Sequence, residues 1–179
     1  MSKPKQSPEM MNDLLALSHV PRWVIVSTSR PQSVAEHSFR VAIILLEICK
    51  RIGVGCEQST LQWALMHDGA ESRTGDLPMG IDVPKDVEYR ECPWLEGQQV
   101  YARGRILVKL ADLVETATWI SRWGVGPHAT SIAIHLRRYT IEQARLFSFH
   151  PDCGYTGLDI LIEQIMDDIT SEIGRFREV

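Results

Sequence analysis

Apolar residues recur every three or four positions along most of the chain, a spacing that predicts amphipathic α-helices. The predicted helices span about 9–20, 33–52, 59–75, 96–123, 128–147 and 158–176. Only the VIVST stretch at 24–28 alternates as a β-strand does. The pattern therefore predicts an all-α protein, a compact helical bundle in which residues 1–179 form a single domain.

Capping residues define several of these boundaries. Ser33 is followed three residues later by Glu36, which is the spacing of a capping box, and Gly53 stands where a helix-ending glycine is expected. Ser59 or Thr60 is expected to cap the next helix. Residues 22–33 are expected to be irregular or briefly extended, and 75–95, which are rich in Pro and Gly, to form a loop.

Composition narrows the choice of partners. The formal net charge of −4 argues against binding to a DNA or RNA backbone, which normally requires a basic face. The chain has no apolar run long enough for a membrane span, and its MSKPKQSPEM start lacks a secretory signal. The four cysteines are scattered and are typical of reduced thiols, so we expect a cytoplasmic protein.

The candidate chemistry centres on the HDGAES segment, where His67 and Asp68 are adjacent. His37 lies upstream in SVAEHS, and Asp112 lies downstream in VKLADLVETA. Two imidazoles and two carboxylates in helical contexts can close around one divalent ion. Nitrogen and oxygen ligands together suit transition metals such as Mn²⁺, Co²⁺ or Zn²⁺. The sequence therefore predicts a four-ligand metal site.

Alternatives exist for each ligand taken singly. His37 could be an ordinary surface histidine, and Asp112 could form an i,i+3 ion pair with Lys109. A carboxylate among apolar helix neighbours is costly unless something compensates it, which favours a metal at Asp112. Because His67 and Asp68 are adjacent, both can reach one ion only at a helix edge or end, and we expect their helix to end near Gly75.

The strings around these residues resemble the HD-domain phosphohydrolases, whose signature is the order H…HD…D. RW followed by SVAEHS, HDGAESRTGDLP and KLAD is similar to the 5′-deoxynucleotidase branch and to the short phage-type dATP triphosphohydrolases. The resemblance covers roughly residues 20–120. It implies an HD-domain helical bundle with the metal site within about 22–116 and C-terminal helices that complete the bundle.

The resemblance also implies roles for residues beyond the ligands. Glu71 and Asp76 correspond to the family's functional carboxylates, of which either could be the general base. Arg22 and Trp23 match the family's spacing before His37, and imply phosphate and sugar or base contacts.

Three further residues are candidate substrate contacts. Ile25 would share the side of Trp23 if the segment is extended, and the two would form an apolar wall that favours deoxynucleotides. Ser33 opens a helix N-terminus that could hold an anion, and Lys109 could meet a phosphate tail.

We therefore expect a metal-dependent deoxynucleotide phosphohydrolase. The short chain and the RW-x-I segment favour a dATP triphosphohydrolase, which converts dATP and water to deoxyadenosine and triphosphate. A 5′-deoxynucleotidase acting on dNMPs is the alternative, and an idle nucleotide-binding HD domain is a third possibility. The metal is expected to be Co, Mn or Zn, with a second ion possible at Glu71, Asp76 and the substrate. We expect a homo-oligomer, a dimer or hexamer, acting in the host cytoplasm if the chain is phage-encoded.

Overall fold

The structure, a computed structural model, describes residues 8–76, 92–95 and 100–175. Within these ranges the chain forms helices and no named β-strand, as the apolar spacing predicts. The α-helices are α1 (Pro8–Ala16), α2 (Val34–Arg51), α3 (Gln58–Met66), α4 (Glu71–Thr74), α5 (Ala102–Trp123), α6 (Gly126–Ser148) and α7 (Leu158–Arg175). Short 3₁₀ turns occupy Leu17–His19 and Pro93–Leu95.

Helix α5 is the centre of the bundle. It packs against α2, α6 and α7, and most of its residues are buried. The core fills the space between these helices with side chains such as Leu45 and Ile48 of α2, Leu110 of α5 and Ile162 of α7. Among the described residues, no helix has the combination of length and apolar character needed to cross a membrane.

The structure confirms the predicted helix that begins at Ser33 and corrects one detail of its cap. Ser33 Oγ accepts a hydrogen bond from the Glu36 amide, as a capping box requires. The Glu36 carboxylate does not complete the box, because it pairs with Arg30 at 2.9 Å. At the other end Gly53 adopts φ 74°, the left-handed conformation expected of a helix-ending glycine.

Two predicted helices differ from those observed. The helix expected over 59–75 ends at Met66, and α4 follows only after a turn at 67–70. The N-cap of α3 is Glu57, whose side chain makes no capping hydrogen bond, so the cap predicted at Ser59 or Thr60 is wrong. The helix expected from about 96 begins at Ala102, and the two described residues before it, Val100 and Tyr101, are not helical. Most of the loop predicted at 75–95 lies outside the described residues.

Gly69 explains how the turn at 67–70 packs. A Cβ atom at this position would overlap the indole ring of Trp94. That ring cannot easily retreat, because Trp94 Nε1 donates to Asp13 Oδ2 at 3.2 Å and Asp13 is itself held by Arg73 at 2.7 Å. The glycine therefore lets the turn that carries His67 and Asp68 lie directly against the indole.

Gly69→Ala is expected to lower the free energy of unfolding by about 1–3 kcal/mol, the usual cost of overpacking a filled site. Gly55→Ala is the matched control, since a Cβ there meets nothing within 4 Å. Denaturant unfolding of both variants checks the difference. Equal unfolding free energies for the two variants would contradict this account of the turn.

Candidate metal centre

His37 lies in the first turn of α2 and is completely buried. Its Nδ1 is 2.6 Å from Glu115 Oε2, and a carboxylate accepts, so Nδ1 carries the hydrogen. That tautomer leaves a lone pair on Nε2. Nε2 lies 3.4 Å from Asp68 Oδ2 and 3.3 Å from Asp112 Oδ1.

His67 and Asp68 project from the turn that separates α3 from α4. His67 Nδ1 is 3.0 Å from the Ala64 carbonyl oxygen, which can only accept, so this imidazole also keeps its Nε2 lone pair. His67 Nε2 lies 3.2 Å from Asp68 Oδ1, and the ring centroids of His37 and His67 are 5.7 Å apart. His67 and Asp68 thus reach one site from the turn at 67–70, just past the end of α3.

Asp112 approaches from the centre of α5. Potential ligand atoms of His37, His67 and Asp112 all lie within 4.8 Å of one another. Asp112 Oδ2 also pairs with Lys109 Nζ at 2.8 Å, so the ion pair considered from the sequence exists alongside the metal-site geometry. All four predicted ligands therefore converge.

The chemistry of this donor set fits a divalent cation. Nε2 of both histidines is buried and finds no hydrogen-bond partner in the described part of the chain. Each nitrogen faces carboxylate oxygens, so lone pairs meet lone pairs unless a cation or a proton lies between them. Although burial and Arg22 lower the pKa of His37, its contacts with Asp112, Asp68 and Glu115 raise it well above the usual range. Burial acts against the ionised form of Asp112, but His37 and Lys109 hold its pKa well below its usual range.

Glu71 and Asp76, the two predicted functional carboxylates, lie beside the ligands. Glu71 begins α4, and its Oε2 is buried with no hydrogen-bond partner among the described residues. Burial, together with the charges of Asp68 and Asp76, raises the pKa of Glu71 to about 9. Burial also raises the pKa of Asp76, against the opposing charge of Arg22. The metal site thus has two neighbouring carboxylates able to take up a proton.

The Arg22 side chain lies between Asp68, in the turn at 67–70, and Asp76. Its guanidinium lies 3.7 Å from Asp68 Oδ2 and 3.8 Å from Asp76 Oδ1, too far for hydrogen bonds. Nε and Nη1 are buried and bond to nothing in the ranges that the structure describes. Arg22 therefore offers donors to an anionic group beside the four ligands.

The segment from 22 to 33 does not form the extended wall considered from the sequence. Trp23 has φ 63°, and the Val26 amide donates to its carbonyl, so the chain turns here. Ile25 consequently points outward and is 66% exposed, which contradicts its predicted place beside Trp23. Trp23 itself is partly buried against the core.

Ser33 is occupied by its role as the cap of α2. Its hydroxyl accepts from Glu36, while the Val34 amide donates to the Val20 carbonyl. These groups are engaged within the protein, and the geometry lends no support to the anion site predicted there. Lys109, by contrast, remains half exposed at the rim of the four-ligand site.

Sequence reasoning missed Glu115, which contacts His37, and the two residues that bond to Glu115, Gln32 and Arg40. Glu115 is fully buried and accepts from His37, from Gln32 Nε2 at 2.8 Å and from Arg40 Nε at 2.7 Å. A signal was present, because Glu115 follows Asp112 by one helical turn among apolar residues. Gln32 gave no such signal, since it resembles any polar loop residue.

Comparison with protein families adds an independent line of information. The model of the HD domain matches residues 15–93, a range that includes His37, His67, Asp68, Glu71 and Asp76. The chain is 33% identical over 132 residues to the dATP triphosphohydrolase of Cyanophage S-2L, covering 66% of this chain and 73% of that protein. It is also 34% identical over 77 residues to the Homo sapiens 5′-deoxynucleotidase HDDC2, covering 41% and 36% respectively.

The fold has a close counterpart among solved structures. The Cyanophage S-2L HD phosphohydrolase, bound to dA and one catalytic Zn²⁺ ion, superposes with a TM-score of 0.76. The match covers 96% of this chain and 98% of that one at 23% identity. The helical architecture is therefore common to both proteins.

Proposed function

The chain belongs to the HD-domain phosphohydrolases, and from this membership we propose that it hydrolyses dATP to deoxyadenosine and triphosphate. The observation that carries the proposal is the convergence of His37, His67, Asp68 and Asp112 with their unshared electron pairs facing one another. The similarity to a phage dATP triphosphohydrolase over two thirds of the chain supports the choice of substrate.

We propose that Arg22, Glu71 and Asp76 act on the substrate and the attacking water. When bound, a divalent ion supplies Lewis acidity toward a phosphoryl oxygen and makes a water molecule more acidic. Arg22 donates its unpaired Nε–H and Nη1–H to oxygens of the α-phosphate. Glu71 or Asp76 accepts a proton from the water that attacks the α-phosphorus. The bond from phosphorus to the 5′-oxygen breaks, and the proton held by the carboxylate passes to that oxygen, which leaves as the 5′-hydroxyl of deoxyadenosine.

Metal identity, assembly and location are part of the same proposal. Two imidazoles and two carboxylates suit Zn²⁺, Co²⁺ or Mn²⁺, and Glu71 and Asp76 could share a second ion with the substrate. We further propose a homo-oligomer, a dimer or hexamer, that acts in the cytoplasm without binding a nucleic-acid backbone. The net charge of −4 supports the last point.

A 5′-deoxynucleotidase acting on dNMPs is the second candidate, favoured by the similarity to the human deoxynucleotidase. Purified protein loaded with Mn²⁺, Co²⁺ or Zn²⁺ should be incubated separately with each dNMP and each dNTP, and the products separated by chromatography. Triphosphate and deoxyadenosine from dATP are the expected products. Phosphate from dNMPs alone would establish the second candidate, and no turnover of any nucleotide would indicate an idle HD domain.

Lys109→Ala is expected to weaken the binding of dATP more than the binding of dAMP, by roughly three- to tenfold, since a half-exposed cation contributes modestly to binding. Its ammonium group lies at the rim of the site, 2.8 Å from Asp112. Because both nucleotides use the same metal site, any effect through Asp112 weakens them equally. The measurement is KM for dATP and either KM or the inhibition constant for dAMP.

Arg105→Ala is the matched control, since this exposed arginine lies one turn earlier on α5 and stacks over Trp63 instead. It should leave both constants near their parent values. Equal losses for dATP and dAMP in Lys109→Ala would place Lys109 outside the binding site for the phosphate tail.

A further inference from the structure

Glu115 is a buried carboxylate that no step of the proposed reaction uses. It lies on α5, one turn after Asp112, and is fully shielded from solvent. Oε2 accepts from His37 Nδ1 at 2.6 Å, while Oε1 accepts from Gln32 Nε2 at 2.8 Å and Arg40 Nε at 2.7 Å. Three donors from three directions thus share one side chain.

Gln32 continues this network toward the segment that holds Arg22 and Trp23. Its Oε1 accepts from Trp23 Nε1 at 2.9 Å, and its backbone carbonyl accepts from the Arg22 amide at 2.9 Å. The orientation of the Gln32 amide is fixed by its partners, because an indole N–H only donates and a carboxylate only accepts. A continuous hydrogen-bonded path therefore runs from His37 through Glu115 and Gln32, all buried, to the partly buried Trp23.

We propose that Glu115 and Gln32 are positioning residues. Through their hydrogen bonds they fix the metal ligand His37 and the substrate segment at Arg22–Trp23 in place relative to each other. Glu115 keeps the hydrogen of His37 on Nδ1, so that Nε2 presents its lone pair to the ion. Gln32 holds the ring and backbone of the substrate segment against the same carboxylate. The part that concerns nucleotide binding rests on the proposed function, whereas the part that concerns the metal does not.

The network requires the carboxylate of Glu115, and an amide at this position cannot replace it. In Glu115→Gln, a single oxygen would have to serve either His37 or the pair of donors from Gln32 and Arg40. The amide nitrogen would then face a donor on the other side, or would donate to His37 Nδ1 and move the hydrogen to Nε2. Arg40, which also lies 5.2 Å from the ring centroid of Trp119, compensates the buried charge of Glu115 in the native chain.

The test compares Glu115→Gln and Gln32→Leu with Thr118→Val. Thr118 is also buried on α5, and its hydroxyl donates to the helix carbonyls of Val114 and Glu115, its acceptors within the described part of the chain. Its loss therefore reports the general cost of removing a buried polar group. Zn²⁺ affinity is measured by competition with a chromophoric chelator, and the Co²⁺ absorption spectrum reports ligand geometry. Circular dichroism and thermal unfolding establish the temperature at which every variant is folded.

Glu115→Gln is expected to weaken Zn²⁺ binding by roughly 10- to 100-fold and to alter the Co²⁺ spectrum, the usual effect of losing a carboxylate behind a histidine ligand. Gln32→Leu should raise KM for dATP several-fold while Zn²⁺ affinity stays within about twofold of Thr118→Val. Parent Zn²⁺ affinity in folded Glu115→Gln would overturn the proposal.

Two further controls keep the result decisive. Should Glu115→Gln fail to fold, Glu115→Asp retains the charge but withdraws the acceptor from His37, and parent affinity in that variant would equally overturn the proposal. The Zn²⁺ measurement contains no nucleotide. Weakened Zn²⁺ binding in a protein that hydrolyses no nucleotide would therefore refute the proposed function while leaving the role of Glu115 supported.

Discussion

Asp68→Ala is expected to abolish both bound metal and turnover while the helical fold stays largely intact. Asp68 contacts both imidazoles, with Oδ2 at 3.4 Å from His37 Nε2 and Oδ1 at 3.2 Å from His67 Nε2. Its removal leaves an incomplete ligand set and misplaces the attacking water. Because it projects from a turn, its loss removes no core packing. Metal content by mass spectrometry, far-ultraviolet circular dichroism and turnover of dATP check the three parts of this expectation.

Asp152→Ala provides the control for Asp68→Ala. Asp152 is an exposed carboxylate beside His150, far along the chain from the four ligands. This variant should retain the metal and the activity of the parent. Full activity in Asp68→Ala would remove the four-ligand site from consideration.

Glu71→Gln is expected to lower the rate by roughly 10²–10⁴, the range for positioned acid–base catalysis, with metal content unchanged. The substitution keeps size and hydrogen-bonding capacity but removes the group that can accept a proton. The raised pKa of Glu71, about 9, arises from burial and from the charges of Asp68 and Asp76. A neighbouring divalent cation opposes both effects and favours the deprotonated form that a base requires.

Asp76→Asn is the matched comparison for Glu71→Gln, since either carboxylate could be the base. Rates at saturating substrate and metal content are measured for both variants. The larger loss of rate identifies the base. Loss of metal in Glu71→Gln would instead make Glu71 a ligand, and its assignment as a base would be wrong.

The helical bundle and the candidate metal ligands were predictable because both leave local signals. Apolar spacing fixes the long helices, and α7 begins at Leu158 as predicted. The order of His37, His67, Asp68 and Asp112 is a strong motif, and the four side chains do converge. The break after Met66 was not predicted, and the turn that follows it packs at Gly69 against Trp94, which is distant along the chain and gives no local signal.

The surroundings of the ligands were less predictable because they depend on tertiary contacts. Gln32 and Glu115 are 83 positions apart, and nothing in either local sequence indicates that they pair. Ile25 was placed beside Trp23 on the assumption of an extended segment, whereas the positive φ of Trp23 turns the chain and exposes Ile25. Local patterns thus identified the convergent candidate ligands better than the hydrogen-bond network around them.

The most direct test of the proposed reaction is hydrolysis of dATP by the metal-loaded protein in water enriched in oxygen-18. Attack of water on the α-phosphorus breaks the bond to the 5′-oxygen, so the label enters the phosphate product. Mass spectrometry is expected to find one labelled oxygen in triphosphate and none in deoxyadenosine. Labelled deoxyadenosine, release of pyrophosphate with dAMP, or no cleavage of dATP at all would contradict the proposed reaction.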